Sequence, residues 1–261
     1  MANKYLTDAK RVVVKVGSST LTGSAGTALD NSAVAKLVDV VAGLAKSGKE
    51  VVIVTSAAIA AGLAPLKMTS RPTDLATQQA AASVGQGLLI ARYTEEFGKH
   101  NIVASQVLLT GDDVALATQS ENAQRTLFRL LELGVVPVIN ENDSVGTEEI
   151  RLGDNDRLAA MVAKLISADL LVLVSDVDAL YDAPPATPGA KRVAKVDAVS
   201  DLGEIKVGGV GTSGVGSGGM VTKIQAAEIA TTSGISMLLT NLANLEAALN
   251  GADFGTFFSA N

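Results

Sequence analysis

The chain is 261 residues long, 48% hydrophobic and free of cysteine, with a formal net charge of −6. That length suits one large α/β domain or two small ones, with material enough for a substantial core. The lack of any basic block argues against a nucleic-acid or anionic-membrane surface, and the lack of cysteine removes disulfides, thiol nucleophiles and thiolate zinc sites together. Aromatic residues make up only 3%, with no tryptophan, so the core must be built from Ala, Val, Leu and Ile. The opening MANKYLTDAKR is polar and charged, unlike a secretory signal, and no run of about 18 consecutive apolar residues offers a membrane span. A soluble protein of a reducing cytoplasm is the expectation.

The first apolar run, RVVVKV (11–16), reads as a buried strand and carries Lys15 just ahead of Gly17-Ser18-Ser19. A lysine inside such a strand is costly unless paired, so its placement asks for a partner. In 30–47, Val34, Leu37, Val38, Val41 and Leu44 share one helical face, with Asp30 or Asn31 as cap and Gly48 as stop. EVVIVT (50–55) is the second strand, and TSAAIAAG (55–62) turns out of it into a helix. Ligands of open α/β sheets bind at the carboxyl ends of strands, which sets Thr55–Ala58, with Ser56 and the amides after it, beside Lys15–Ser18. The Ala/Gln-rich stretch 73–98 reads as a long helix. His100, the single histidine, falls in the charged turn GKHN and reads as a surface residue, leaving no histidine base, triad or histidine metal site.

Strands follow at IVASQVLL (102–109) and VVPVIN (135–140), with a helical period over 117–133 between them. NENDSV (140–145) leaves the fourth strand, and GDNDRLAA (153–160) opens a helix over 156–167. Any one of Asp154, Asn155 and Asp156 could be a helix cap. Two such clusters on the lysine edge of the sheet also suit binding an ammonium, orienting lysines or holding Mg²⁺. LLVLVS (170–175) runs into SDVDALY, which puts Ser175 and Asp176 within reach of a nucleotide. The stretch 182–219 holds DAPPATPG and then eight glycines from 203 to 219. It reads as a long excursion within one domain. A helix over 220–233 and the strand ISMLLT (235–240) complete the alternation, which predicts an α/β fold: an open, mostly parallel sheet sandwiched between helices.

The loop GTSGVGSGGMVTK (211–223) has the chemistry of a phosphate site, because bare amides, a helix start and a lysine all favour an anion. By its own letters it is equally a solvated surface loop. GVGTSG (209–214) and GVGSGG (214–219) match the dinucleotide pattern G-x-G-x-x-G but lack the preceding strand and the acidic residue about 20 positions onward. The Walker pattern fails because Thr222, not glycine, precedes Lys223.

Together these motifs resemble the amino acid kinase superfamily and, within it, the glutamate 5-kinase family. VVVKVGSSTLT, VVIVTSAAIAAG, VVPVINENDSV, EIRLGDND, SDVDALY and GSGGMVTK occur in that order over positions 12–223, and FGTFF (254–258) resembles the family's terminal strand. The resemblance implies an αβα sandwich that phosphorylates the γ-carboxylate of L-glutamate with ATP, opening proline biosynthesis. It implies that Lys15 and Lys223 contact the transferring phosphoryl group and that Asp156 holds both lysines. Ser56, Asp143 and Asn155 would bind glutamate. Lys15, Ser175, Asp176 and Ser217-Gly218-Gly219-Met220-Val221-Thr222-Lys223 would bind ATP, with Gly17 and Ala57 offering amides to the phosphoryl group. Mg²⁺ would be held through ATP's phosphates, with no protein ligand of its own. Further implications are a homodimer or tetramer, feedback inhibition by proline, and hand-off of the product to glutamyl phosphate reductase. The whole of 1–261 would be a single kinase domain, its N-terminal part on the acceptor side and about 170–261 on the ATP side, with no C-terminal PUA domain.

The chain departs from the family pattern at two positions, carrying Ala57 and Ala179 where glycine is usual. Two other readings share the motifs. One is a sister kinase for acetylglutamate, aspartate, carbamate or a nucleoside monophosphate. The other is a non-catalytic amino-acid or nucleotide sensor. Retention of Lys15, Asp156 and Lys223 together weighs against the sensor.

Overall fold

Residues 4–23, 26–145, 155–202 and 219–261 are described by the computed structural model. The first half of the chain forms α1 (Lys4–Asp8), β1 (Arg11–Val16), α2 (Ser18–Leu21), α3 (Asn31–Lys46), β2 (Glu50–Val54), α4 (Ala58–Leu63), α5 (Leu75–Lys99), β3 (Ala104–Leu109), α6 (Gly111–Ala115), α7 (Ala117–Glu132) and β4 (Val136–Glu141). The second half forms α8 (Asn155–Leu165), β5 (Leu170–Ser175), β6 (Lys195–Val196), α9 (Met220–Thr232), β7 (Ser236–Asn241), α10 (Leu245–Leu249) and β8 (Thr256–Phe258). The six strands and five long helices expected from the periodicity are all present, with ends shifted by one or two residues.

One sheet of eight strands in the order β3-β4-β2-β1-β5-β7-β8-β6 runs through these elements. Every pairing is parallel except that of β7 with β8. Strands from the first half of the chain fill one side of the sheet and strands from the second half the other. β1 and β5 meet at the middle. In such sheets the point where strand order reverses opens a crevice beyond the carboxyl ends of the strands. Here that point lies at β1, which β2 and β5 flank.

Side chains alternate across a strand, so each apolar run feeds two cores. Val12, Val14 and Val16 of β1 join α3, α5 and α10 on one face. Val13 joins α7, α8 and α9 on the other, and Lys15 follows Val13 by two residues and shares its face. The helices are held by ordinary local devices. Asp30 caps α3 by accepting hydrogen bonds from Ser32 N–H and Ala33 N–H, and Asp74 caps α5 by accepting one from Thr77 N–H. α4 and α5 cross with backbone against backbone at Gly62 and Gly85. A Cβ on Gly85 would lie 1.8 Å from Ala58 O, so the crossing exists only because both positions are glycine.

The excursion after β5 returns to the sheet sooner than its composition suggests. Residues 195–196 form β6 beside β8, and 199–202 make a 3-10 turn. His100 lies at the surface as expected, where its Nε2 is 2.8 Å from Asp39 Oδ1 and links the end of α5 to α3. Among the described residues, no helix is long and apolar enough to cross a membrane.

Candidate active site

The carboxyl ends of β1, β2, β4 and β5 meet the starts of α4, α8 and α9, and the chemistry of the chain gathers there. Lys15, the fifth residue of β1, is 2% exposed, and its Nζ lies 2.6 Å from Oδ1 of Asp156, which is 1% exposed. Asp156 belongs to the first turn of α8. Its Oδ2 accepts from Nζ of Lys223, at 3.1 Å, in the first turn of α9. The Thr222 hydroxyl stands 3.0 Å from the same Oδ2 and 2.9 Å from Gly219 O.

A lone ammonium this deeply buried would cost several kcal/mol, so Asp156 is what permits both lysines to remain charged away from water. One carboxylate thus faces two ammoniums. Buried ammoniums gathered beside helix starts are a setting suited to an anion. Lys15, Asp156 and Lys223, separated widely in sequence, are therefore brought together as expected.

A second cluster lies beside the first. Asn155, first residue of α8 and buried, donates from Nδ2 to Thr55 O at 2.5 Å and to Asn140 Oδ1 at 2.8 Å. Asn140 Oδ1 also accepts from Glu141 N–H at 2.9 Å, and Asn140 Nδ2 donates to Gln86 Oε1 of α5 at 2.7 Å. Thr55 Oγ1 lies 2.9 Å from the hydroxyl of Tyr93, whose titration burial pushes up, so Tyr93 stays a neutral hydroxyl. Ser56 follows β2 and Asp143 follows β4, and these two strands are sheet neighbours. Thr55 and Asn140 fall within stretches that the sequence places at this edge, TSAAIAAG and NENDSV, whereas Gln86 and Tyr93 carry no such mark. Asn140 had a signal, a polar residue ending an apolar strand. Gln86 had none, because Gln78 and Gln79 in the same helix look identical in composition.

The two positions offered as phosphoryl amides differ. Gly17 is extended, at φ −79° and ψ 159°, and its N–H donates to Val174 O at 3.2 Å, so that amide is already engaged. Ala57 caps α4 in the left-handed region, at φ 79° and ψ 9°, a conformation that glycine adopts freely and alanine does not. Ala179, at the other departure from the pattern, is absent from the positive-φ residues and is buried, so the loop there accommodates a methyl group without left-handed strain. Ser175 ends β5 and its hydroxyl donates to Asp176 Oδ1 at 2.9 Å, with Asp176 exposed. Gly219, Met220, Val221 and Thr222 lead into Lys223 at the start of α9. Ser217, Gly218 and Asp154 lie outside the described residues.

The parallel sheet with its switch at β1 carries the lysine–aspartate–lysine trio at its carboxyl edge, the α/β architecture of an amino acid kinase. The chain belongs to the amino acid kinase family, whose model matches residues 10–241. It is similar throughout to curated glutamate 5-kinases: 56% identical over 253 residues to that of Thermobifida fusca, covering 97% of this chain and 65% of that protein. With the glutamate 5-kinase of Streptomyces coelicolor it shares 55% over 259 residues, covering 99% of this chain and 69% of that protein. With that of Clavibacter michiganensis subsp. michiganensis it shares 52% over 255 residues, covering 97% of this chain and 96% of that protein. The chain thus spans about two thirds of the first two relatives and nearly all of the third. Among solved structures, the fold is similar to a carbamate kinase from Giardia lamblia bound to AMP-PNP, with a TM-score of 0.70 at 16% identity over 98% of this chain and 100% of that one. It is also similar to a UMP kinase from Bacillus anthracis, with a TM-score of 0.65 at 13% identity over 97% of each chain.

Proposed function

We propose that the chain phosphorylates the γ-carboxylate of L-glutamate with ATP, giving L-glutamyl 5-phosphate and ADP, the first step of proline biosynthesis. The observation that carries the reading is the buried Lys15–Asp156–Lys223 trio at the strand switch, two ammoniums gathered on one carboxylate. A γ-carboxylate oxygen attacks the γ-phosphorus, the new P–O bond forms, and the bond to the β,γ-bridging oxygen breaks as ADP leaves. The carboxylate is already ionised at neutral pH, so the reaction needs no general base, and a chain with one distant histidine and no cysteine suffices. The task is to align two anions and neutralise the charge spread over the transferring group. Lys15 and Lys223 do this from β1 and α9, and Asp156 fixes their ammonium groups. The Ala57 amide, presented by the left-handed turn, adds a hydrogen-bond donor on the acceptor side.

Ser56, Asp143 and Asn155 bind glutamate, while Ser175, Asp176 and the segment from Ser217 to Lys223 bind ATP. This division follows the sheet: acceptor residues come chiefly from its first-half strands and nucleotide residues from its second half, within one kinase domain. Both Asp156 oxygens face ammonium groups, so Mg²⁺ fits as a partner of ATP's own phosphates. When bound there, the ion neutralises charge on the β- and γ-phosphates. The described residues include no group of three or more His, Cys, Asp or Glu side chains that could hold a metal ion. The enzyme works in the cytoplasm as a homo-oligomer, with proline as feedback inhibitor. Its labile acyl phosphate passes to glutamyl phosphate reductase, and co-elution of the two enzymes tests that hand-off.

Incubation with Mg-ATP, hydroxylamine and a panel of amino acids tests the assignment. Glutamate-specific hydroxamate supports it. Hydroxamate with another acceptor moves the chain to a sister kinase, and ATP binding without product from any acceptor makes it a sensor.

A further inference from the structure

The amide orientations around Asn155 can be read without ambiguity, because both ends of their network are backbone groups. Thr55 O can only accept, so the Asn155 atom facing it is Nδ2. Glu141 N–H can only donate, so the Asn140 atom facing it is Oδ1. Asn155 Nδ2 then spends both hydrogens, one on Thr55 O and one on Asn140 Oδ1. Its Oδ1 accepts no hydrogen bond among the described residues and is not sealed in the interior, so this oxygen is what Asn155 offers to a ligand. Asn140 Nδ2, turned inward by that orientation, needs an acceptor of its own to keep it. Gln86 Oε1 supplies it, from the face of α5 turned to the sheet.

We propose that Gln86 is a positioning and specificity-determining residue: through Asn140 it holds Asn155 with its oxygen outward, an acceptor that selects substrates bearing a free ammonium. This rests on the glutamate reading above and adds to it the residue that sets the polarity of the acceptor pocket. Gln86 itself touches no reacting atom. If it lost its acceptor, the buried Asn140 Nδ2 would lack a partner. Asn140 would then turn or shift to satisfy it, and Asn155 would lose one of the two bonds that fix its carboxamide.

The experiment compares the parent with Gln86→Leu, which removes the acceptor at similar volume, and Gln86→Glu, which keeps one. Glutarate, which is glutamate without the amino group, serves as competitive inhibitor. In Gln86→Leu the KM for glutamate should rise roughly ten- to a hundredfold, the range for a hydrogen bond to a charged group. The Ki for glutarate should change less than about threefold and the KM for ATP less than about twofold. Gln86→Glu should recover most of the glutamate affinity. An equal loss for glutamate and glutarate, or no change in the glutamate KM, overturns the proposal. A readout free of substrate accompanies these: hydrogen exchange of the Asn155 side-chain NH₂ followed by NMR. That group should exchange slowly in the parent and faster in Gln86→Leu. An unprotected Asn155 NH₂ in the parent, or unchanged protection in Gln86→Leu, defeats the relay. Should the parent make no glutamate product, the glutamate reading fails by itself, and the exchange measurement still decides the relay.

Discussion

Asp156→Asn is the sharpest test of the buried trio, because it removes a charge while keeping shape. In the parent, one carboxylate faces two ammoniums at 2.6 and 3.1 Å, and all three residues are nearly closed to water. Asparagine presents one oxygen and an NH₂ group in the same volume, so one lysine is left facing a donor and the site loses one negative charge. Breaking a buried ion pair on one side costs about 3–5 kcal/mol, mostly through the stranded charge. At roughly 2–4 °C per kcal/mol for chains approaching this size, the melting temperature should fall by about 6–20 °C. Hydroxamate formation should fall on the order of 10²–10³-fold, as when one preorganised electrostatic contact to a transition state is lost. Because the variant has lost a buried negative charge, millimolar phosphate should raise its melting temperature more than that of the parent. Differential scanning calorimetry with and without phosphate, beside the hydroxamate assay, measures all three. A melting temperature within about 2 °C of the parent would refute the claim that Asp156 keeps the lysines charged in the interior.

Ala57→Gly should raise kcat without changing the KM for ATP, since it relaxes the left-handed turn that presents the amide; unchanged kcat would sink that idea. The same change removes a strain of about 1–2 kcal/mol and returns about 0.5–1 kcal/mol to the freedom of the unfolded chain, so the melting temperature should rise by roughly 1–4 °C. Gly85→Ala places a methyl group against Ala58 O and should lower both stability and activity by driving α4 from α5, whereas Gly87→Ala, with open space around it, should leave the melting temperature unchanged or slightly raised. Asp30→Ala should cost about 1 kcal/mol at neutral pH through loss of the α3 cap. Hydrogen bonds from the Ser32 hydroxyl and the Ala33 and Ser32 amides hold the Asp30 carboxyl below its ordinary value of 3.8. A depressed folded value means the stabilisation is present above that ordinary value and disappears as pH falls through the folded one. The difference in melting temperature between Asp30→Ala and the parent should therefore be constant from pH 5 to 8 and shrink below about pH 4, and a difference that persists at pH 2 would contradict the cap.

Most of the fold was legible because buried parallel strands cannot disguise themselves. RVVVKV, EVVIVT and LLVLVS are apolar on consecutive positions, which only a strand covered on both faces requires. Short elements were less visible for an equally physical reason. α2, α6 and α10 have four or five residues each, too few to establish a helical period. β8 runs antiparallel to β7, and nothing in TFF marks direction, since strand direction is set by the path of the preceding loop. β6, with two residues, was absorbed into the excursion between β5 and α9.

The candidate site divides along a line of energy. Lys15 stood out in a buried strand because an ionised group there costs so much that its partner must exist somewhere in the chain, and Asp156, which also pairs with Lys223, answered that demand. Gln86 makes a bond of 2.7 Å, between the two lysine contacts in length, yet a buried amide costs only about 1–3 kcal/mol when unpaired and occurs in helices for many reasons. The weight of evidence a residue leaves in the sequence follows its desolvation cost, so charged members of a site are found first and the neutral groups that orient them last. Asn155 sits at the junction. Its neighbour Asp156 is held by charge, and Asn155 itself is held by a neutral network reaching back to α5. The two residues open the same helix, so phosphoryl placement and acceptor placement share one rigid element, and a disturbance of either network is felt at both ends of the reaction.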